Sequence, residues 1–86
     1  MPGGYHNDLS QSAKGAFSIT PADGADLAKV TRGLYVGVQG DVKVDMANDT
    51  DTAVVFTDLA AGVIHPLAVR RVYSTDTDAT NIVGVY

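Results

Sequence analysis

The 86-residue sequence predicts an all-β fold, a small antiparallel β-sandwich or barrel of jelly-roll-like form with an extended N-terminal arm. Three observations predict it. Twelve Val and eight Thr favour strands, while all ten acidic residues are Asp, which suits turns, and none is Glu, which suits helix surfaces. Apolar and polar residues alternate at period two in short runs, the mark of a strand with one buried face. About six or seven such runs recur at roughly ten-residue spacing with turn residues between them, the rhythm of a sandwich or barrel.

Residues 1–15 are polar, rich in Gly, Ser and Asn, and follow neither period, so they read as an arm. That arm is either a disordered tail or a segment that orders on a partner through Tyr5 and Leu9. Residues 16–86 form a single β-domain. Within it, 16–20 is a short strand with Phe17 and Ile19 on one face. It stops at Thr20-Pro21, because Pro lacks a backbone N–H and restricts the residue before it. Residues 22–26 are a turn cluster, and 27–31 are one more short strand or a helical turn.

The clearest signal spans Arg32 to Met46. Leu34, Val36 and Val38 share one face; Tyr35, Gly37 and Gln39 share the other. Val42, Val44 and Met46 then alternate with Asp41, Lys43 and Asp45. This pattern reads as two strands joined in a hairpin at Gln39-Gly40, with Gly40 supplying the positive φ of a type I′ turn. Gly37, inside its strand, marks a close-packing site or a bulge. The outward set Tyr35, Gln39, Asp41, Lys43 and Asp45 is mixed, and suits contacts rather than chemistry.

Residues 47–51 are a loop long enough to carry a bulge, 53–57 a strand and 58–62 a tight turn. Pro66 makes 63–67 an edge or a strand start. Alternation places Leu67, Val69, Arg71 and Tyr73 on one face and Ala68, Arg70 and Val72 on the other. Apolar residues on both faces predict a strand covered on both sides. Residues 74–80 are a polar loop and 81–86 the last strand. That strand is uncharged and has no edge-blocking Lys or Pro, so it is either central or paired with another subunit.

The length allows one domain, which buries roughly 60–65% of its unfolded surface. Domains this small generally need disulfides, a metal or partner subunits. There is no Cys and no ligand cluster with transition-metal spacing, so oligomerisation is expected. The net charge of −4, with Arg70-Arg71 the one basic pair, argues against nucleic-acid binding. No apolar run approaches the ~20 residues of a membrane span, and no signal-peptide pattern opens the chain. A soluble protein made in the cytoplasm is expected, without nucleic acid or membrane as partner.

Catalytic chemistry finds no foothold. His6 and His65 have no sequence partner, and Ser10, Ser12, Ser18 and Ser74 sit in no nucleophile context. The glycines form no phosphate loop. No catalytic residue and no cofactor is assigned, and an enzyme would need a site composed across subunits. Asp49 with Asp51, and Asp76 with Asp78, are calcium candidates if their loops meet at one end of the sandwich. Neither loop has the Gly turn and closing Glu of an EF-hand, and turn Asp bonding its own backbone is the plain reading. Tyr35, Tyr73 and Tyr86 fall on strands, as interface anchors or as rings at the core rim.

Four pieces carry a family resemblance: Phe17-Ser18-Ile19-Thr20-Pro21 with Asp23 and Asp26-Leu27; Thr31-Arg32-Gly33-Leu34-Tyr35-Val36-Gly37 followed by Gly40-Asp41-Val42; Ala61-Gly62-Val63-Ile64-His65-Pro66-Leu67-Ala68-Val69-Arg70-Arg71-Val72; and Ala79-Thr80-Asn81-Ile82-Val83-Gly84-Val85-Tyr86. Their order and spacing over roughly 16–86 resemble the small head-spike base proteins of gene transfer agents, with relatives in tailed phages. The loops 48–52 and 74–78 depart from that pattern in being Asp-rich, and His65 in not being apolar.

The resemblance implies a virion structural protein on the particle head surface. It would be a homo-oligomer, a ring or trimer, acting as a capsid vertex, spike-base or decoration module. Its partners would be the major capsid protein, a spike fibre protein, or both. The resemblance transfers no individual interface residue; from the residues themselves the expected contacts are Tyr5, Leu9, Tyr35, Arg70 and Tyr86. The alternative is a small β-sandwich ligand-binding module assisted by calcium through Asp49, Asp51, Asp76 and Asp78.

Overall fold

The structure is a computed structural model that describes residues 12–48 and 53–86. Those residues form seven strands: β1 (Ala16–Ser18), β2 (Gly33–Val38), β3 (Gly40–Met46), β4 (Val54–Leu59), β5 (Ile64–His65), β6 (Val69–Val72) and β7 (Thr80–Val85). They make two antiparallel sheets. Sheet A runs β1-β7-β2-β5 and sheet B runs β4-β3-β6. The sandwich alternative therefore holds over the barrel, and β7 is central rather than an edge.

Leu34 and Val36 from β2 and Ile82 from β7 meet Val42 and Val44 from β3 and Val69 and Val72 from β6. Ile19 and Ala79 complete this cluster, with Phe17, Leu27, Met46, Phe56, Leu59 and Leu67 packed around it. Each fully buried Val or Leu contributes about 1.5–3 kcal/mol. The alternation read from the sequence thus names the core side of β2 and β3 correctly.

It does not name their partners. β2 pairs with β7 and β5, whereas β3 pairs with β4 and β6. The expected β2–β3 hairpin is absent, because the chain steps from one sheet to the other at Gln39. Facing the two apolar sets across the core buries both, and a hairpin would have laid them side by side. Val38, at the crossing, is left 49% exposed. Gly40 has no positive φ; the described residues that do are Asp58, Asp76, Asn81 and Gly62. Gly40 is instead crowded, since a Cβ there would lie 2.5 Å from Asp78 Oδ1 and 2.6 Å from Ala79 N. Gly37 is a close-packing site, as read: its Cβ would lie 2.6 Å from Asn81 Cβ.

β6 carries a second correction. Asp45 opposes Arg71 and Met46 opposes Val69, so Arg70 is an extra residue in the ladder. This bulge resets the alternation. Val69 and Val72 both point to the core, and Arg70 and Arg71 lie between them, half-buried. The strand has apolar residues in both phases because of the bulge, not because both faces are covered.

Residues 27–31 are neither strand nor helix. Leu27 N donates to Arg70 O and Thr31 N to Val69 O. The Thr31 hydroxyl donates to Leu67 O and accepts from Val69 N. The segment therefore closes the outer rim of β6.

Candidate interaction surfaces

Sheet B presents an ionic cluster on its outer side. Asp45 is only 5% exposed. Its Oδ2 accepts from Tyr73 Oη at 2.8 Å and lies 3.3 Å from Arg70 Nη2. Asp26 Oδ1 takes Arg70 Nη1 at 3.1 Å and Arg71 Nε at 2.8 Å. Two adjacent arginines reach the same two carboxylates because the bulge turns both to one side. The Asp26 hydrogen bond holds the Arg71 guanidinium above its ordinary pKa, and the Asp45 hydrogen bond, with desolvation, does the same for the Tyr73 phenol. Arg70, an expected contact residue, thus sits inside a cluster that fastens residues 23–27 to β6. Asp45, read as a solvent-facing residue, is roofed over by that cluster.

The 74–78 loop is held by Asp23. Its carboxylate accepts from Ser74 N and Thr75 N at 2.9 Å each and from the Thr75 hydroxyl at 2.6 Å. The Thr75 hydroxyl above all, with the backbone N–H groups, holds its pKa down at about 2. Next to it runs a chain of Asp contacts. Asp41 N donates to Asp78 Oδ1 at 2.6 Å, Asp58 N to Asp41 Oδ1 at 2.8 Å, and Gln39 Nε2 to Asp58 Oδ1 at 2.6 Å. Asp76 pairs with Lys43 at 3.7 Å.

Asp41, Asp76 and Asp78 border a cavity of about 370 Å³. Of the calcium candidates, Asp76 and Asp78 therefore share one depression, each with a protein partner. Asp49 and Asp51 lie outside the described residues. No group of three or more His, Cys, Asp or Glu among the described residues is placed to hold a metal. His65 ends β5, with Nε2 2.9 Å from Ala60 O in the β4–β5 connection.

Apolar side chains are exposed on both sheets. On the outer face of sheet A, Tyr35 opposes Ile64 on one side and Val83 on the other, and Ile64 is 48% exposed. Val54 and Val55 at the start of β4, Val63 just before β5, and Val30 and Val38 are exposed as well. Tyr86 packs on Phe17 with ring centroids 5.8 Å apart, and Lys29 Nζ lies 4.9 Å from its centroid. Its backbone exchanges hydrogen bonds with Gly15, and its carbonyl also accepts from Lys14 N. Tyr35 and Tyr86 are thus both at the surface, on different parts of sheet A, and Tyr5 and Leu9 lie outside the described residues. Sequence reasoning missed the β4 margin. Its signal was there in Val54-Val55-Phe56-Thr57, a strand with no Lys, Arg or Pro to guard an edge.

No protein-family model matches the chain, and no curated protein matches it. A solved structure does. A chain in the capsid of a native gene transfer agent (GTA) particle computed with C5 symmetry is similar at a TM-score of 0.79 and 32% sequence identity. The likeness covers 98% of this chain and 95% of that one. The likeness thus spans nearly the whole length of both chains. The chain belongs to the same family as this protein of the GTA capsid particle.

Proposed function

We propose that the chain is a structural component of a phage-like particle head, a homo-oligomeric module seated at a capsid vertex as a spike base or decoration. Its work is binding. Copies pack about a symmetry axis, and the outer surfaces contact the major capsid protein, a spike fibre protein, or both. The observation that carries this reading is the end-to-end likeness to a capsid-particle chain at 32% identity.

Physical features support it. A domain of this size without Cys has a marginal core, and surface buried between copies offsets that. Exposed valines and the Tyr35–Ile64–Val83 row provide apolar surface to bury. The ionic cluster and the Asp-capped loop use their polar groups to fix the fold, which suits a rigid building block. The test is mass spectrometry of purified particles made with and without this gene. The chain should be present in the particle at a copy number that matches a symmetry axis. Particles that lack it, or carry it only at trace level, overturn the reading.

A further inference from the structure

The two sheets end in four rims, and the rims differ. β6 is closed by Leu27 and Thr31, whose N–H groups bond its carbonyls. β5 is two residues long. Among the described residues no segment covers β4 or β1, and the hydrogen bonds fix the backbone phase of each. Lys43 O accepts from Tyr73 N, Asp41 O from Asp78 N and Ala79 N, and Ala47 N donates to Ala68 O. Odd-numbered residues of β3 therefore turn their backbone groups towards β6, and Val42 and Val44 turn theirs towards β4. Their partners Phe56 and Val54 bond inward, which leaves the N–H and C=O of Val55 facing out from the rim. On the other sheet, Gly15 and Tyr86 exchange both bonds, so Phe17 bonds to Gly84 and the groups of Ala16 and Ser18 face out.

We propose that copies of this chain join head to tail by strand addition, the open rim of β4 in one copy pairing antiparallel with the open rim of β1 in the next. This rests on the oligomeric reading above and names the surfaces that make the ring. A cyclic ring of more than two members requires heterologous contacts, two different patches on each chain that complement one another. The sandwich offers two such rims on opposite margins. β4 leads into β5 through residues 60–63, and β1 is the strand of sheet A farthest from β5. Residues 54–57 of β4 carry no charge and no Pro, and Val54 and Val55 are exposed there, while the strand's charged residue, Asp58, sits at its far end. Antiparallel pairing brings Lys14, just before β1, to the end of β4 that carries Asp58, so opposite charges meet. Parallel pairing would separate them by the length of the strand. The register shift between Phe56 and Leu59, with Asp58 at a φ of 62°, kinks β4 there and leaves residues 54–57 as the regular stretch of its rim. Val54 and Val55 then lie beside the margin that carries Phe17 and Tyr86, and apolar surface is covered from both sides.

The chain has no Cys, so cysteine pairs report the contact without background. Val55→Cys and Ala16→Cys are made singly and together in the full chain and treated with a short bismaleimide. The double variant should give a ladder of linked dimers, trimers and higher forms. A mixture of the two single variants should give linked dimers, and each single variant alone none. Val55→Lys should keep the far-UV circular dichroism of the wild type and weaken assembly by roughly tenfold or more. Linked dimers from Val55→Cys alone would show a β4–β4 contact and overturn the proposal. So would a double variant that assembles by light scattering yet does not cross-link, and the reading of the chain as a particle oligomer would then stand. A wild-type chain that stays monomeric and is missing from particles overturns both.

Discussion

Asp45 and Asp23 do opposite jobs with the same side chain. Asp45 is buried beneath Arg70, Arg71 and Tyr73, and it neutralises the two guanidinium groups that the bulge brings together. Removing it leaves Tyr73 without its acceptor and takes from the two guanidinium groups one of the two carboxylates they share, leaving Asp26. Asp45→Ala should therefore cost about 2 kcal/mol and lower Tm by roughly 10 °C, with Asp45→Asn losing less because it retains an acceptor for Tyr73. An Asp45→Ala chain that melts with the wild type would show that the cluster does not fasten β6. Asp23 is exposed and acts through pH. Its folded pKa of about 2 lies below the ordinary 3.8, so its contribution is complete above the ordinary value and is lost as pH falls through about 2. The Tm difference between wild type and Asp23→Ala should be constant near neutral pH and close across that acid window. A gap that persists at the acid end would mean that the carboxylate does not hold Ser74 and Thr75. Both roles were hidden in the sequence, where Asp45 reads as a solvent-facing strand residue and Asp23 as turn material.

At the level of the elements, the crossing between sheets and the bulge in β6 decide the shape. Gly40 was legible as a special position, but the reason for it was not. The sequence suggests a positive φ, whereas the chain needs space for the 78–79 backbone. Gly40→Ala should destabilise by about 1–3 kcal/mol through this overlap. Gly24→Ala, where no atom lies within 4 Å of the new methyl group, should stay within about 0.5 kcal/mol. Chemical denaturation of the two variants side by side checks this, and equal stabilities would remove the close-approach argument. The bulge at Arg70 was equally hidden, since Val69-Arg70-Arg71-Val72 fits strict alternation only by spreading its apolar residues over two faces. One extra residue resolves that conflict by putting both valines inside. A bulge depends on the partner strand, and the partner is not encoded beside it.

As a whole molecule, the chain has a small core, no disulfide, and strand rims at β1 and β4 that no described segment covers. Assembly is then part of its stability, because copies that bind the folded state shift the folding equilibrium by mass action. Its Tm should rise with protein concentration, and Val55→Lys should abolish that rise while leaving the dilute-limit Tm unchanged. Differential scanning calorimetry over a wide concentration range tests this. A wild-type Tm independent of concentration would mean that the sandwich carries its own stability. The candidate sites divide in the same way. Tyr35 and Tyr86 were legible as surface aromatics because strand alternation places them. The β4 rim was not, since whether a strand lies at an edge depends on the order of the whole sheet.

The sequence by itself determined that the chain is all-β, where its main strands fall, and that Leu34, Val36, Val42 and Val44 face a core. It also carried the resemblance to gene-transfer-agent particle proteins that the capsid chain bears out at family level. The tertiary arrangement set the rest: β2 and β3 lie in opposite sheets, β7 is central, Arg70 and Arg71 share a side, and β4 lies at the edge of sheet B. The physical reason is that period-two alternation records which face of a strand avoids water. It does not record which strand supplies the neighbouring hydrogen bonds. Those partners come from distant parts of the chain and are chosen by how the two apolar faces close on each other.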